Sequence, residues 1–226
     1  MTTLIACSHG TNDRAGQSAV RRVIDDTRAL LPDVKVVAAV VDVEQPQIEE
    51  VIAHEAPRDD VVVVPLLLSV GYHTAVDISR AVARHGNARQ SAPLGTHPLI
   101  AEILVDRILA AIPDGWRPGD HVVLAAAGSS NPAAIVDVEA VATRVHPMLP
   151  VPVTVGYASA SVPRIRDAVA DARRDGGARV IAASHVLAPG FFAGLISTAG
   201  ADVVSIPLAP DPRIAQVVVD RFHAAR

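Results

Sequence analysis

The strongest constraint on what this chain can fold into is an internal repeat. Aligned without gaps, Pro93–Ile112 and Pro207–Arg226 agree at ten of twenty positions, including Pro93/Pro207, Leu94/Leu208, Pro98/Pro212, Ile100/Ile214, Asp106/Asp220 and Arg107/Arg221, where chance would give about one or two. Upstream the match thins but keeps its order. Gly10 pairs with Gly128, Pro32 with Pro150, Pro46 with Pro163, Ile48 with Ile165 and Gly71 with Gly190, at offsets of 117 to 119. One unit has been duplicated and joined through residues 113–120, a Pro-Asp-Gly-Trp-Arg-Pro-Gly-Asp stretch of clustered turn residues. Two similar domains are expected, over residues 1–114 and 120–226.

Each half alternates short apolar runs with helical spacing. Thr3–Cys7 and Val61–Leu67 have few polar interruptions, the composition of strands covered on both faces of a parallel sheet; Val34–Val41 is a third run and Arg89–Leu94 a weaker fourth. Helical periodicity predicts helices over Ala15–Leu31, Pro46–His54, Ala75–Arg84 and Pro98–Ile112, two of them opening on proline. The second half repeats the order at Val122–Ala126, Val153–Tyr157, Arg179–Ala183 and Val203–Ile206. Four βα units per half predict an α/β fold of two similar doubly wound domains, each a four-stranded, mainly parallel sheet flanked by helices with right-handed crossovers.

Composition narrows the function classes. Aromatic residues are only 3% of the chain, so Val, Leu, Ile and Ala must fill its cores. The longest apolar stretch, Val61–Gly71, is short of the ~20 residues that span a bilayer, and Met1–Leu4 carries no signal-like segment; no membrane association and a cytoplasmic location are expected. A single cysteine, Cys7, gives neither a disulfide framework nor a cysteine cage for metal, in keeping with a reducing compartment. The net charge of −4 argues against a nucleic-acid partner, which needs a concentrated basic surface. Lys35 is the only lysine, so arginine supplies nearly all the positive charge and suits bidentate carboxylate recognition.

In doubly wound sheets, ligands bind outside the carboxyl ends of the strands. His9 directly follows the first strand in Ser8-His9-Gly10-Thr11, Glu44 follows the second in Val43-Glu44-Gln45-Pro46, and His73 follows the third in Gly71-Tyr72-His73. Topology alone sends these three side chains from one sheet edge, and glycine beside each histidine would let the backbone turn and expose the ring. Their counterparts in the second half are Ala127, Ser161 and Phe192, while the flanking glycines and prolines persist. The repeat therefore acts as an internal control: what the fold needs is kept, and what chemistry needs is confined to one copy. Two neutral imidazoles and a carboxylate form an N/N/O set suited to first-row divalent metals, with room for water or substrate; the same imidazoles could instead serve as bases. His54, His85, His121, His146 and His223 are expected on helices or their ends, solvated. His97 follows the fourth strand at the same edge, and His185 follows the third strand of the second half with no partner ligand evident.

These residues carry a resemblance. Ser8-His9-Gly10-Thr11, Glu44-Gln45-Pro46, the block from Val64 to Ile78 with Gly71, His73 and Asp77, and Pro93-Leu94-Gly95 are similar to the sirohydrochlorin and cobalt chelatases, the class II tetrapyrrole chelatase family, in its long two-domain form with one active half. The resemblance implies a chelatase-like fold of two α/β lobes. It also implies ATP-independent insertion of a divalent metal (Fe2+, Co2+ or Ni2+, as substrate) into a sirohydrochlorin-type tetrapyrrole of siroheme or cobalamin biosynthesis. It assigns the active-site histidines to His9 and His73 and the acidic partner to Glu44, each expected to act in catalysis and as a metal ligand. No nucleotide is expected, and the chain has no Gly-x-x-x-x-Gly-Lys-Ser/Thr loop. A polycarboxylate substrate calls for local positive charge, with Arg14, Arg80 and Arg84 as candidates; Tyr72, Phe192 and its neighbour Phe191 could meet the macrocycle. A pseudo-twofold monomer is expected. Two rivals are a non-catalytic metal or tetrapyrrole carrier and a histidine-phosphatase-like phosphoryl transferase. The latter wants arginine immediately before the histidine, where this chain has Ser8.

Overall fold

The computed structural model of the protein describes residues 2–69 and 71–226, without the side chains of residues 72–75. Strands and helices alternate as β1 (Thr2–Ser8), α1 (Arg14–Leu30), β2 (Lys35–Val40), α2 (Ile48–Glu55), β3 (Asp60–Pro65), α3 (Tyr72–Ala83), β4 (Ala88–Gln90) and α4 (Pro98–Ala111). The second half follows with β5 (Asp120–Ala126), α5 (Pro132–Val145), β6 (Val153–Tyr157), α6 (Ile165–Arg174), β7 (Arg179–His185), α7 (Phe191–Ser197), β8 (Val203–Val204) and α8 (Pro212–Ala225). Two four-stranded sheets result, in the orders β2-β1-β3-β4 and β6-β5-β7-β8, and every pairing is parallel. The doubly wound α/β architecture expected from the repeat is the architecture observed.

The central strands are buried on both faces, as their unbroken apolar runs require. Leu4, Ile5, Ala6 and Cys7 of β1 and Val122 to Ala125 of β5 have no exposure, and burial pushes the Cys7 thiol up to about 12, leaving it an inert core residue. Ser8 lies opposite Val40, and Cys7 opposite Pro65, so β1, β2 and β3 end level at the carboxyl edge.

The compact units are not the contiguous halves of the repeat. One comprises the chain up to Leu94 together with Ala209–Arg226, and the other is Gly95–Leu208. The last helix of each repeat has been exchanged. Helix α8 packs on α1 and β3 of the first unit, with Ile214, Val217, Val218 and Phe222 fully buried, while α4 packs on α5, β7 and β8 of the second, with Ile100, Ile103, Leu104 and Ile108 fully buried. The segment expected as the joint is held to the second unit. Buried Asp120 accepts from Arg179 Nε at 2.8 Å and Nη2 at 2.6 Å and from the Arg117 amide at 2.8 Å, and Arg179 Nη2 also donates to the Gly115 carbonyl at 2.9 Å. The hydrogen bonds from Arg179 keep the Asp120 carboxyl below the usual carboxylate range despite its burial.

Several element boundaries differ from expectation. Helix α2 opens at Ile48 rather than Pro46, because the Pro46 carbonyl accepts from the Val40 amide at 3.0 Å and so extends the edge of β2; Tyr157 and Pro163 repeat this bond at 3.0 Å before α6. Helix α3 opens at Tyr72, three residues earlier than expected, which puts His73 inside its first turn. The fourth strands are short: β4 has three residues and β8 two.

Candidate active site

The site is built from the turns that follow β1 and β2. The parallel ladder runs past the strand ends, with the Val41 amide donating to Ser8 O and the Asp42 amide to His9 O, both at 3.0 Å, so the two loops stay side by side. Gly10 makes this approach possible. Its φ is +91°, and a Cβ placed on it would lie 2.0 Å from Asp42 O; Gly128 in the copy has φ +84° and would meet Ser159 O at 1.9 Å. Only glycine fits this juncture. His9 emerges next to it, exposed, with no hydrogen-bond partner for its ring among the described residues. The loop beyond is braced by Asp13, which caps α1 by accepting from the Gly16 amide at 2.9 Å, and by Gln17 Nε2, which donates to Thr11 O at 2.9 Å.

Glu44 turns back onto that loop. Its Oε1 accepts from the Thr11 amide at 2.8 Å, while its second oxygen has no partner among the described residues. A γ-turn delivers it there: the Glu44 amide donates to Asp42 O at 2.8 Å around Val43, whose φ of +68° is strained for a β-branched residue. Ala160 repeats the turn at φ +54°. In the copy, Ser161 Oγ accepts from the Ser129 amide at 3.0 Å, the bond that Glu44 makes to Thr11. This corrects the expectation that Glu44 is dispensable to the fold. The clasp is structural and both copies have it; only the carboxylate, with its second oxygen and negative charge, is peculiar to the first.

His73 is the second residue of α3, and its counterpart Phe192 is the second residue of α7, so the repeat holds at the level of the helical turn. The His73 backbone leaves the same sheet edge as His9 and Glu44, one residue beyond the helix N-terminus. The side chains of His73 and Tyr72 lie outside the described residues. Gly71 caps α3 in extended conformation at φ −63°, so the conformational freedom expected beside His73 is not used, unlike that of Gly10. Among the described residues, no three His, Cys, Asp or Glu side chains form a metal-binding group.

The arginine candidates separate. Arg14 opens α1 at this edge, exposed and without a carboxylate partner among the described residues. Arg80 lies in the last turn of α3, seven residues past His73 and therefore about 10 Å along the helix axis from it. Arg84 is engaged by Glu49 at 3.0 Å. Phe191 and Phe192 open α7 as an exposed edge-to-face pair with centroids 5.3 Å apart, at the carboxyl edge of the second sheet. The remaining histidines serve structure. His97 caps α4, its Nδ1 accepting from the Leu99 amide at 3.3 Å, and belongs to the second unit. His121 is not solvated on a helix end as expected but lies buried in β5, its Nε2 3.0 Å from Thr154 Oγ1, and burial lowers its pKa. His185 ends β7, buried, with no partner for Nε2 among the described residues. Thr11 escaped the sequence reading because its contribution is a backbone amide, which no side-chain pattern reveals.

A duplicated, doubly wound α/β protein with the candidate residues His9, Glu44 and His73 at the carboxyl edge of one copy only is the class that fold and site define. The sequence profile of the CbiX family matches residues 3–111 and again 121–225, and the chain belongs to that family. Both matches follow the sequence repeat rather than the helix-exchanged units. Solved structures share the fold. SirB from Bacillus subtilis with Fe3+ superposes with a TM-score of 0.80 at 18% identity, covering 98% of this chain and 94% of that one. The sirohydrochlorin chelatase SirB from Bacillus subtilis subspecies spizizenii in complex with cobalt gives 0.74 at 18% identity, over 98% and 94%. CbiX, described as the terminal enzyme for biosynthesis of siroheme in denitrifying bacteria, gives 0.73 at 21% identity, over 99% of both chains. No curated protein matches this chain by sequence.

Proposed function

We propose that this protein is a sirohydrochlorin chelatase, inserting Fe2+ or Co2+ into sirohydrochlorin without consuming a nucleotide. The observation that carries the reading is the clasp between Glu44 and the Thr11 amide. It holds a carboxylate, one oxygen of which has no partner among the described residues, against the loop of an exposed imidazole, His9, that has none among them either. Membership of the CbiX family supports it, as do the iron and cobalt in the SirB structures of the same fold. His9, Glu44 and His73 are the proposed metal donors and catalytic groups. Metal insertion releases the two pyrrole N–H protons as the two metal–nitrogen bonds that replace them form, and an imidazole that gives up the metal is free to take a proton. Ligation requires unprotonated imidazole, so insertion slows as the medium is acidified. Arg14 is the candidate for a peripheral substrate carboxylate, with Tyr72 and Phe192 beside the macrocycle. No described helix is long and apolar enough to cross a membrane. We take the acting species to be a cytoplasmic monomer.

The test is an anaerobic spectral assay of sirohydrochlorin with Fe2+, Co2+ and Ni2+ in turn, on wild type, His9→Ala, His73→Ala and Glu44→Ala. Loss of at least a hundredfold in rate is expected for each histidine variant. Full activity in both would defeat the site assignment, and a wild type that binds macrocycle and metal but never exceeds the uncatalysed rate would make the protein a carrier.

A further inference from the structure

The turn that carries Glu44 is more strained than its copy and is tethered by fewer bonds. Val43 sits at φ +68° with its side chain 44% exposed, so its branching buries little in a conformation that β-branched residues avoid. Ala160 holds the equivalent place at φ +54° with a single methyl group. The tethers between the paired loops run in the opposite sense. In the second unit three side-chain hydrogen bonds cross the juncture: Ser161 Oγ accepts from the Ser129 amide at 3.0 Å and donates to Ser129 O at 2.8 Å, and Ser159 Oγ donates to Ala127 O at 2.9 Å. Among the described residues of the first unit one crosses, from the Thr11 amide to Glu44 Oε1 at 2.8 Å. Asp42, in the place of Ser159, has no hydroxyl to donate, and its Oδ1 accepts from the next amide of its own loop, Val43 N, at 2.7 Å.

Fold maintenance does not require the more strained member of the pair. The backbone bonds that fix the juncture run from the Val41 and Asp42 amides to Ser8 O and His9 O and from the Glu44 amide to Asp42 O, and the second unit repeats them from Ala158, Ser159 and Ser161 around an alanine. Backbone strain persists only where its surroundings over-determine it. With Glu44 off Thr11, one constraint fewer opposes the swing of Val43 to the extended region that β-branched residues favour, and the carboxylate departs with that swing. Resting on the chelatase reading, we propose that the Val43 turn is a spring-loaded latch: clasped, it offers the second oxygen of Glu44 to the metal, and released, it withdraws the carboxylate so that the metal passes to the macrocycle. Val43 is the positioning residue that sets the balance between the two states. The exchange needs no oxidant or reductant, since a metal–oxygen bond breaks as a metal–nitrogen bond to a pyrrole forms. A donor that never let go would trap the metal; strain in the clasped state lowers the difference in free energy that release must overcome. The second copy, which keeps the turn but has no carboxylate in it, has the gentler strain and the fuller set of tethers.

Amide hydrogen exchange of the metal-free, full-length protein reads the latch at the Thr11 N–H, which the clasp protects. Val43→Asn, whose side chain tolerates the left-handed region, and Val43→Gly should each slow exchange there about tenfold, the order of magnitude of one relieved strained residue. Dissociation of Co2+, followed by chase with a chelator, should slow by a similar factor, and metal insertion should lose kcat while KM for sirohydrochlorin stays within about twofold of wild type. Val43→Thr, β-branched like valine, should restore wild-type exchange and release. In a Glu44→Ala background, Val43→Asn should leave Thr11 exchange unchanged, because the effect travels through the clasp. Thr11 exchange within about twofold of wild type in both Val43→Asn and Val43→Gly overturns the proposal. So does slowed exchange with Co2+ release unchanged, and so does slowed exchange that persists without the Glu44 carboxylate. A wild type that inserts no metal, while Val43→Asn slows both Thr11 exchange and Co2+ release, would sink the chelatase reading and leave the latch standing. Insertion by a wild type whose Thr11 exchange neither Val43 variant alters does the reverse.

Discussion

At the scale of single residues, the repeat separates structure from chemistry more finely than presence or absence. Glu44 and Ser161 accept the same backbone hydrogen bond, from Thr11 and Ser129 respectively, across loop junctures of the same tightness. Glu44→Ser should therefore keep the clasp and remove only the carboxylate. Chemical denaturation should find Glu44→Ser close to wild type and Glu44→Ala lower by about 1 kcal/mol, the usual net value of one such bond. Metal titration should find both impaired. If Glu44→Ser binds Co2+ as wild type does, the carboxylate is no ligand.

His185 makes a different prediction. It occupies the position held by Leu66 in the first unit, and burial lowers its pKa from 6.5 to about 4. The unfolded chain then binds a proton that the folded chain refuses. Stability is intact above the unfolded pKa and is lost as pH falls from 6.5 towards 4, by roughly 3 kcal/mol at most. His185→Leu should remove that dependence: urea midpoints of variant and wild type should diverge between pH 7 and pH 5, with wild type falling faster.

At the scale of elements, the strand-exit loops decide the site. The presence of β1, β2 and β3, and the exit of His9, Glu44 and His73 from one edge, were legible because parallel strands buried on both faces write unbroken apolar runs and parallel order fixes which end they leave. What lies beyond the strand ends was less legible. Helix α2 starts late because Pro46 serves the β2 edge through its carbonyl, and α3 starts early, absorbing His73 into its first turn; both outcomes depend on backbone partners remote in sequence. Gly10 was readable as a turn residue, yet the reason it cannot change is the Asp42 carbonyl, 32 residues further on. Gly10→Ala should destabilise the protein by about 2 kcal/mol or more, combining left-handed strain with the collision, and should push the Glu44 loop away from His9. Weakened metal binding alongside a lower urea midpoint would bear this out, and a variant stable as wild type would count against the described juncture.

At the scale of the whole molecule, the exchange of α4 and α8 ties the two repeats together in a way their sequence alignment hides. Although α8 lies about 200 residues from His9, it covers the first unit with Ile214, Val217, Val218 and Phe222. A chain ending at residue 211 should consequently lose the first unit: limited proteolysis should cut within residues 2–94 while Gly95–Leu208 resists, and Co2+ binding should disappear. Loss of protection in the second unit instead would contradict the exchange. By itself the sequence determined two copies of a parallel α/β unit, their strand order of burial, and the restriction of His9, Glu44 and His73 to the first copy, because hydrophobic periodicity and duplication are written in local order. Tertiary structure alone decided which helix completes which core and that Glu44 is clasp as well as candidate ligand. Those outcomes rest on backbone amides, carbonyls and exposed faces meeting across tens to hundreds of residues, and no run of neighbouring side chains encodes such meetings.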